Sequence, residues 1–307
     1  MNYTLHQLQI FLKIAELGSI TKASEALHLT QPAVSIQLKN LQNQFAIPLT
    51  EVVGRKLYIT EFGQEIAKAS EKILNEVNAI NYKTLAFQGK LSGRIKISVV
   101  STGKYVMPYF LSEFMNFHKG LELVMDVTNK LKVVKTLENN ETDFALVSVL
   151  PDKLSVNKIE LMDNKLFFIA SSSLKFGNGN LSKKGFEKLP LLYREHGSAT
   201  RGAMQEFINA QNFSSIKKMQ LTSNEAIKQA VVAGLGSSIM PLIGLKNELQ
   251  NHDVQIVPVK GLPIKTSWNL IWLKSKKLSP AAEAFKDYIN EEKDRIIKDK
   301  FEWIFNY

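Results

Sequence analysis

The 307-residue chain has no cysteine, which excludes disulfides and thiolate-held metals. Histidine is scarce, with five in all, and no His, Asp and Glu gather at ligand spacing, so neither a metal nor a cofactor is expected. Long hydrophobic runs are missing too. The most apolar stretch, residues 230–245, is broken by Gly234, Gly236, Ser237, Ser238, Pro241 and Gly244, so no membrane span is read. No charged-then-apolar leader opens the chain, and a cytoplasmic location is the expectation. No Gly-x-Ser-x-Gly elbow occurs and no Gly-x-Gly-x-x-Gly follows a strand, so catalysis is not expected, although Asp143 and Glu195-His196 are conceivable acid-base groups. What is present is enough apolar residue, 45%, to bury two or three domain cores, and a net charge of +10. Residues 1–90 carry nine Lys and Arg against seven Asp and Glu, a surplus of only +2, which leaves +8 in residues 91–307. The excess therefore suits an anion-binding larger domain as well as scattered surface lysines.

Two short helices around a tight break are predicted between Ser19 and Phe45. Gly18-Ser19 opens the first with Ser19 as N-cap, and Ala23, Ala26 and Leu27 form a small inner face. Thr30 caps the next helix, which starts near Gln31 with Pro32 in its first turn, where a missing N–H costs nothing. Val34, Leu38, Leu41 and Phe45 recur at spacings of four, three and four and form the buried stripe. Gln31, Ser35, Gln37, Lys39 and Asn40 face outward, an amide, hydroxyl and ammonium set that can pair with base edges and phosphates in a DNA major groove. An ordinary αα-hairpin would show the same spacing. The alternating segment from Gly54 to Thr60 adds a candidate wing whose cations Arg55 and Lys56 can meet phosphates.

Residues 1–60 resemble the N-terminal winged helix-turn-helix domain of the LysR-type transcriptional regulators. The resemblance lies in Leu8, Phe11 and Ala15, Gly18-Ser19, Ala23-x-x-Ala26-Leu27, Thr30-Gln31-Pro32-Ala33-Val34-Ser35, and Gly54-Arg55 running into Leu57-x-Ile59-Thr60-x-x-Gly63. It implies double-stranded DNA as partner, with Ser19, Thr21, Thr30, Gln31, Pro32, Ala33, Ser35, Gln37, Lys39, Arg55 and Lys56 at the interface, and RNA polymerase as a candidate partner. Leu49-Thr50-Glu51-Val52 stands where the family usually has Leu-Phe-Glu-Arg, and Ile36 and Gln42 replace a frequent Arg and Glu. One fewer phosphate-binding Arg implies a shift in DNA affinity or site choice.

Residues 61–90 read as a linker helix. Ile66, Ile73, Ile80 and Phe87 repeat every seven residues, with Ser70, Val77 and Thr84 on the companion line, a seam that wants a partner helix. The resemblance implies the same linker-helix homodimer or homotetramer, and hence a roughly palindromic operator.

From Gly93 strands alternate with helices: strands at 94–100, 121–127, 143–149, 165–170, 191–193, 219–221, 236–240 and 268–273, and helices at 106–117, 133–139, 201–210, 224–233 and 280–293. Two α/β lobes, about 91–162 with 267–307 and about 163–266, resemble the periplasmic-binding-protein-like effector domain of the family, whose ligand lies between lobes. A solute-binding or enzymatic α/β protein with a structural helical N-terminus is the competing reading. In open α/β sheets ligands sit beyond strand carboxyl ends, where helix N-termini offer free N–H groups. Ser101, Thr102 and Gly103 follow the first strand, Ser148 ends another, Arg194, Gly197, Ser198, Thr200 and Arg201 follow Tyr193, and Ser223 and Asn224 precede a helix. Each segment also reads as ordinary capping. Taken together they describe a cleft for a small anionic effector, with Arg194 and Arg201 as fixed charge. The segments 194–201 and 223–236 look most like the branch that regulates carbon-fixation operons, with His196 and Ala199 departing from a frequent Pro and Gly. The tail 290–307 carries Ile296, Ile297, Phe301, Trp303 and Phe305 and should pack, either on its own chain or on another subunit.

Overall fold

A computed structural model describes residues 3–54, 56–87, 91–177, 179–214 and 217–307. The chain divides into two compact units, Met1–Lys90 and Leu91–Tyr307. The first contains α1 (Leu5–Leu17), α2 (Ile20–Ala26), α3 (Gln31–Gln42), β1 (Thr50–Val53), β2 (Lys56–Ile59) and α4 (Glu61–Phe87). A capping box between Thr4 and Gln7 starts α1, and Gly18 stops it at φ +60°, a conformation that L side chains resist. Ser19 then accepts from the Lys22 N–H and Thr30 from the Ala33 N–H, so each helix begins where a local hydroxyl replaces a missing backbone partner. Val34, Leu38 and Leu41 are buried against Leu8, Ile10, Phe11 and Ile14 of α1, each worth about 1.5–3 kcal/mol of removed apolar surface. The inner face of α2 differs from expectation. Ala26 is exposed, and Ser24 is buried beside Ala23, its hydroxyl satisfied by the Thr21 carbonyl at 2.8 Å. One helical turn sets which positions face α1 and α3, and an exposed Ala costs nothing.

β1 and β2 pair antiparallel from Thr50↔Ile59 to Val53↔Lys56 and form the wing. Gly54 turns the ribbon at φ +56°. Thr50–Val53, which overlaps the Leu49–Val52 segment, thus supplies a wing strand that the sequence reading did not assign. Gln42 takes a structural role, its side-chain carbonyl accepting from the Leu49 N–H at 2.8 Å. A Cβ on Gly63 would lie 2.0 Å from the Leu49 carbonyl oxygen, so only glycine admits this close crossing of wing and α4. Along α4, Ile66 packs on the unit's own core and Ser70 is buried, whereas Ile73 and Ile80 are 40% and 63% exposed. The seam therefore begins inside the unit and emerges from it; the side chains of Thr84 and Phe87 lie outside the described residues.

The second unit runs β3 (Ser92–Val100), α5 (Met107–Phe117), β4 (Gly120–Thr128), α6 (Lys130–Glu138), β5 (Phe144–Val147), β6 (Val156–Ser171), α7 (Lys183–Glu187), β7 (Leu191–Arg194), α8 (Ala199–Ala210), β8 (Lys218–Leu221), α9 (Asn224–Val232), β9 (Ser238–Pro241), α10 (Lys246–Gln250), β10 (Val254–Ile256), β11 (Ile264–Leu273) and α11 (Pro280–Phe301). The main sheet is ordered β10-β6-β11-β5-β3-β4, with β9 also on β6, and β7 and β8 form a separate parallel pair. β3 is parallel to β4 and β5, while β11 runs antiparallel to both β5 and β6. The expected lobe boundaries at 162/163 and 266/267 fall inside β6 and β11, so these two long strands run through both lobes. Phe110, Phe144, Trp268 and Phe285 fill the core of lobe 1, and Phe168, Phe186 and Phe207 belong to that of lobe 2.

The last helix extends eight residues past its expected end, to Phe301, and a 3-10 turn, Glu302–Asn306, follows. Phe301 is buried, edge-on to Tyr109 at 5.3 Å and stacked on Phe110 at 5.9 Å, and Ile304 is buried with it. The Lys165 ammonium donates to the Tyr307 carbonyl at 2.8 Å. Phe301 and Ile304 of the tail thus pack on their own chain, while Phe305 is exposed.

Candidate functional site

The outer face of the first unit is built by α3 and the wing. Gln31, Pro32, Ser35, Lys39 and Asn40 are exposed, as is Thr21 on α2, and Ala33 and Gln37 are half-buried on the same helix. Ser19 and Thr30 hold the two helix starts, so their hydroxyls position α2 and α3 and aim the free N–H groups of those first turns outward. Lys56 is exposed at the wing; Arg55 falls outside the described residues. Ile36, not counted among the interface residues from the sequence, is 58% exposed next to Ser35 on α3. A branched apolar group is of the kind that suits a thymine methyl.

In the second unit the strand-end residues of the two lobes meet. Ser101, after β3, accepts from Arg194 Nη1 at 2.9 Å and from Asn224 Nδ2 at 3.0 Å. Thr102 is buried, Gly103 lies against Leu146 and Val99, and Ser198 and Thr200 are buried at the start of α8. Gly197, at φ +85°, accepts the Leu131 N–H of lobe 1 through its carbonyl at 3.3 Å, and a Cβ there would stand 3.0 Å from Leu131 Cβ. Ser223 caps α9 by accepting from the Ala226 N–H. Ser148 is half-buried, and among the described residues no hydrogen bond ties it to this cluster.

The two arginines differ from expectation. Arg201 donates from Nη1 to the Arg194 carbonyl at 2.8 Å and to Gln220 Oε1 at 2.6 Å, and lies over the Tyr193 ring. Its position in the first turn of α8 turns the side chain onto β7 and β8 rather than into the cleft. Arg194 is buried and already paired: Nε and Nη2 donate to both Glu195 oxygens at 2.8 and 2.9 Å.

The sequence reading also missed a second group bridging the lobes. Tyr105 donates its hydroxyl to Glu225 Oε2 at 2.9 Å, and buried Lys228 is shared by Glu225 at 3.0 Å and Glu248 at 2.7 Å. Burial, then the Glu225 hydrogen bond, pushes the Tyr105 phenol well above its ordinary value. Burial opposes ionisation of both Glu225 and Lys228. The hydrogen bonds and charges together exceed it, from Lys228 and Tyr105 at Glu225 and from Glu248 and Glu225 at Lys228, so the carboxyl is held below and the ammonium above the ordinary range. Tyr105 and Glu225 are 120 residues apart, so no local pattern announces them.

Among the described residues no helix is long and apolar enough to cross a membrane, and no group of three or more His, Asp and Glu could hold a metal ion.

Comparison with known proteins agrees with this geometry. Residues 5–64 match the bacterial regulatory helix-turn-helix model of the lysR family, and residues 88–294 match the LysR substrate binding domain. The HTH-type transcriptional activator CmpR of Synechocystis sp. is 37% identical over 94% of this chain and 95% of its own length. A RuBisCO operon transcriptional regulator of Allochromatium vinosum is 34% identical over 96% of this chain and 98% of its own. Among solved structures, the regulatory domain of Synechocystis CcmR in complex with 2-PG covers 64% of this chain and 96% of its own at 32% identity, with a TM-score of 0.62.

Proposed function

The chain belongs to the LysR family of DNA-binding transcriptional regulators, and from that premise we propose that α3 reads an operator while the interlobe cleft takes a small phosphorylated carboxylate. The observation that carries the effector reading is Ser101 of lobe 1, held at once by buried Arg194 and Asn224 of lobe 2. A cation and an amide of lobe 2 thus meet a strand-end hydroxyl of lobe 1, which suits an anion whose binding changes lobe closure. The likeness to RuBisCO operon regulators, and to the Synechocystis CcmR regulatory domain in complex with 2-PG, supports the same class of ligand. In this reading the protein is a cytoplasmic regulator, not an enzyme. It needs no metal or cofactor and assembles through α4 as a homodimer or homotetramer on a roughly palindromic site. RNA polymerase is its partner at the promoter.

The test is calorimetric titration of the full-length protein with 2-phosphoglycolate, paired with mobility shifts on DNA upstream of its own gene. Saturable binding and a shift that withstands competitor DNA are expected. Absence of heat at millimolar ligand would reject the effector class, and a shift abolished equally by any DNA would reject operator recognition.

A further inference from the structure

Arg194 is 3% exposed, and Glu195 occupies the guanidinium edge that would otherwise receive a carboxylate or phosphate in two parallel hydrogen bonds. A carboxylate of the chain itself is thus held on the cation's two-pronged edge. Burial would raise its pKa; the hydrogen bonds and charge of Arg194 lead the causes that bring it below the ordinary range, so it is an anion at neutral pH. Its side chain is nevertheless 17% exposed, and it sits on the short connection between β7 and α8. Close by, the Asn224 amide is buried with its Oδ1 unpartnered while Nδ2 goes to Ser101. Half of that amide is therefore left for a group the chain does not supply.

We propose that Glu195 is a built-in competitor for the effector: it stands in for the ligand's anionic group on Arg194, and an external anion binds by displacing it. This rests on the anion reading of the cleft and adds to it a rule of selectivity. A tethered carboxylate acts at an effective concentration of about millimolar or more. A free monocarboxylate offers Arg194 nothing that Glu195 does not already give, so it loses. A phosphorylated ligand brings more charge and more acceptors, and it can engage Asn224 and the α8 N-terminus at the same time.

The test compares wild type with Glu195→Gln and Glu195→Ala, both full length, by titration with 2-phosphoglycolate and with acetate after thermal melts show each variant folded. Both Glu195 variants should bind 2-phosphoglycolate about tenfold tighter or more, as expected for removal of a competing charge-assisted hydrogen bond, and should discriminate less against acetate. Weaker or unchanged affinity in the Glu195 variants would mean that the carboxylate merely positions Arg194, and would overturn the proposal while leaving the anion cleft in place. Failure of wild type and all variants to bind 2-phosphoglycolate would overturn both.

Discussion

Tyr105 of lobe 1 donates its hydroxyl to Glu225 of lobe 2 at 2.9 Å, and Glu225 in turn holds buried Lys228 at 3.0 Å. This chain of contacts joins the first strand-end turn of one lobe to the first turn of α9 in the other. Tyr105→Phe deletes the hydroxyl at nearly constant volume, and Glu225 keeps its lysine. Chemical denaturation of the full-length protein should show a loss of about 1 kcal/mol. An unchanged midpoint would mean that the contact does not hold the lobes together.

The same pair sets a pH dependence. The folded-state pKa of Glu225 lies below its ordinary value of 4.5, so its stabilising contribution is complete above that value and is lost as pH falls through the folded pKa. The melting temperature of wild type should exceed that of Glu225→Gln near neutrality, and the gap should close as pH drops below about 4.5. A gap constant from pH 7 to pH 3 would contradict the ion-pair account.

On DNA, Gln31 and Lys56 should behave differently. Gln31→Ala should weaken specific binding by about 1–3 kcal/mol and spare random DNA, because an amide reads base edges. Lys56→Ala should weaken binding to all sequences alike and lower the salt slope by about one unit. Mobility shifts across a salt series distinguish the two patterns. Equal losses for Gln31→Ala on specific and random DNA would remove α3 as the reading helix.

Ile73 and Ile80 lie seven residues apart on α4, 40% and 63% exposed. Replacing both by Glu places charge along a seam meant for burial, at a cost of several kcal/mol per dimer. Light scattering should report smaller species. An unchanged mass would mean that another surface carries the assembly.

What the sequence disclosed was mostly local. Ser19, Thr30 and Ser223 were legible as caps because each hydroxyl bonds an N–H three residues on, and the stripe Val34, Leu38 and Leu41 was legible because helical period alone places it. The wing's β1 was not, since Thr50–Val53 is an exposed ribbon strand without alternation of burial. Only residues 165–170 of the 16-residue β6 were read, because its first half alternates polar and apolar residues weakly. The strand ends of the candidate cleft were legible, but the pairing of its charges was not. Glu195 on Arg194 and Gln220 on Arg201 are brought there by β7 and β8, which is a tertiary matter. The tail's packing was equally hidden, because Phe301 finds Tyr109 and Phe110 only once α11 lies on α5.

The central claim is that an anion between the lobes controls how α3 meets DNA, and a footprint tests it most directly. Full-length protein bound upstream of its own gene should protect one pattern of bases alone and a shifted or shortened pattern with saturating 2-phosphoglycolate, while acetate leaves the first pattern intact. An identical footprint with and without 2-phosphoglycolate, at concentrations where titration shows the cleft occupied, would contradict it.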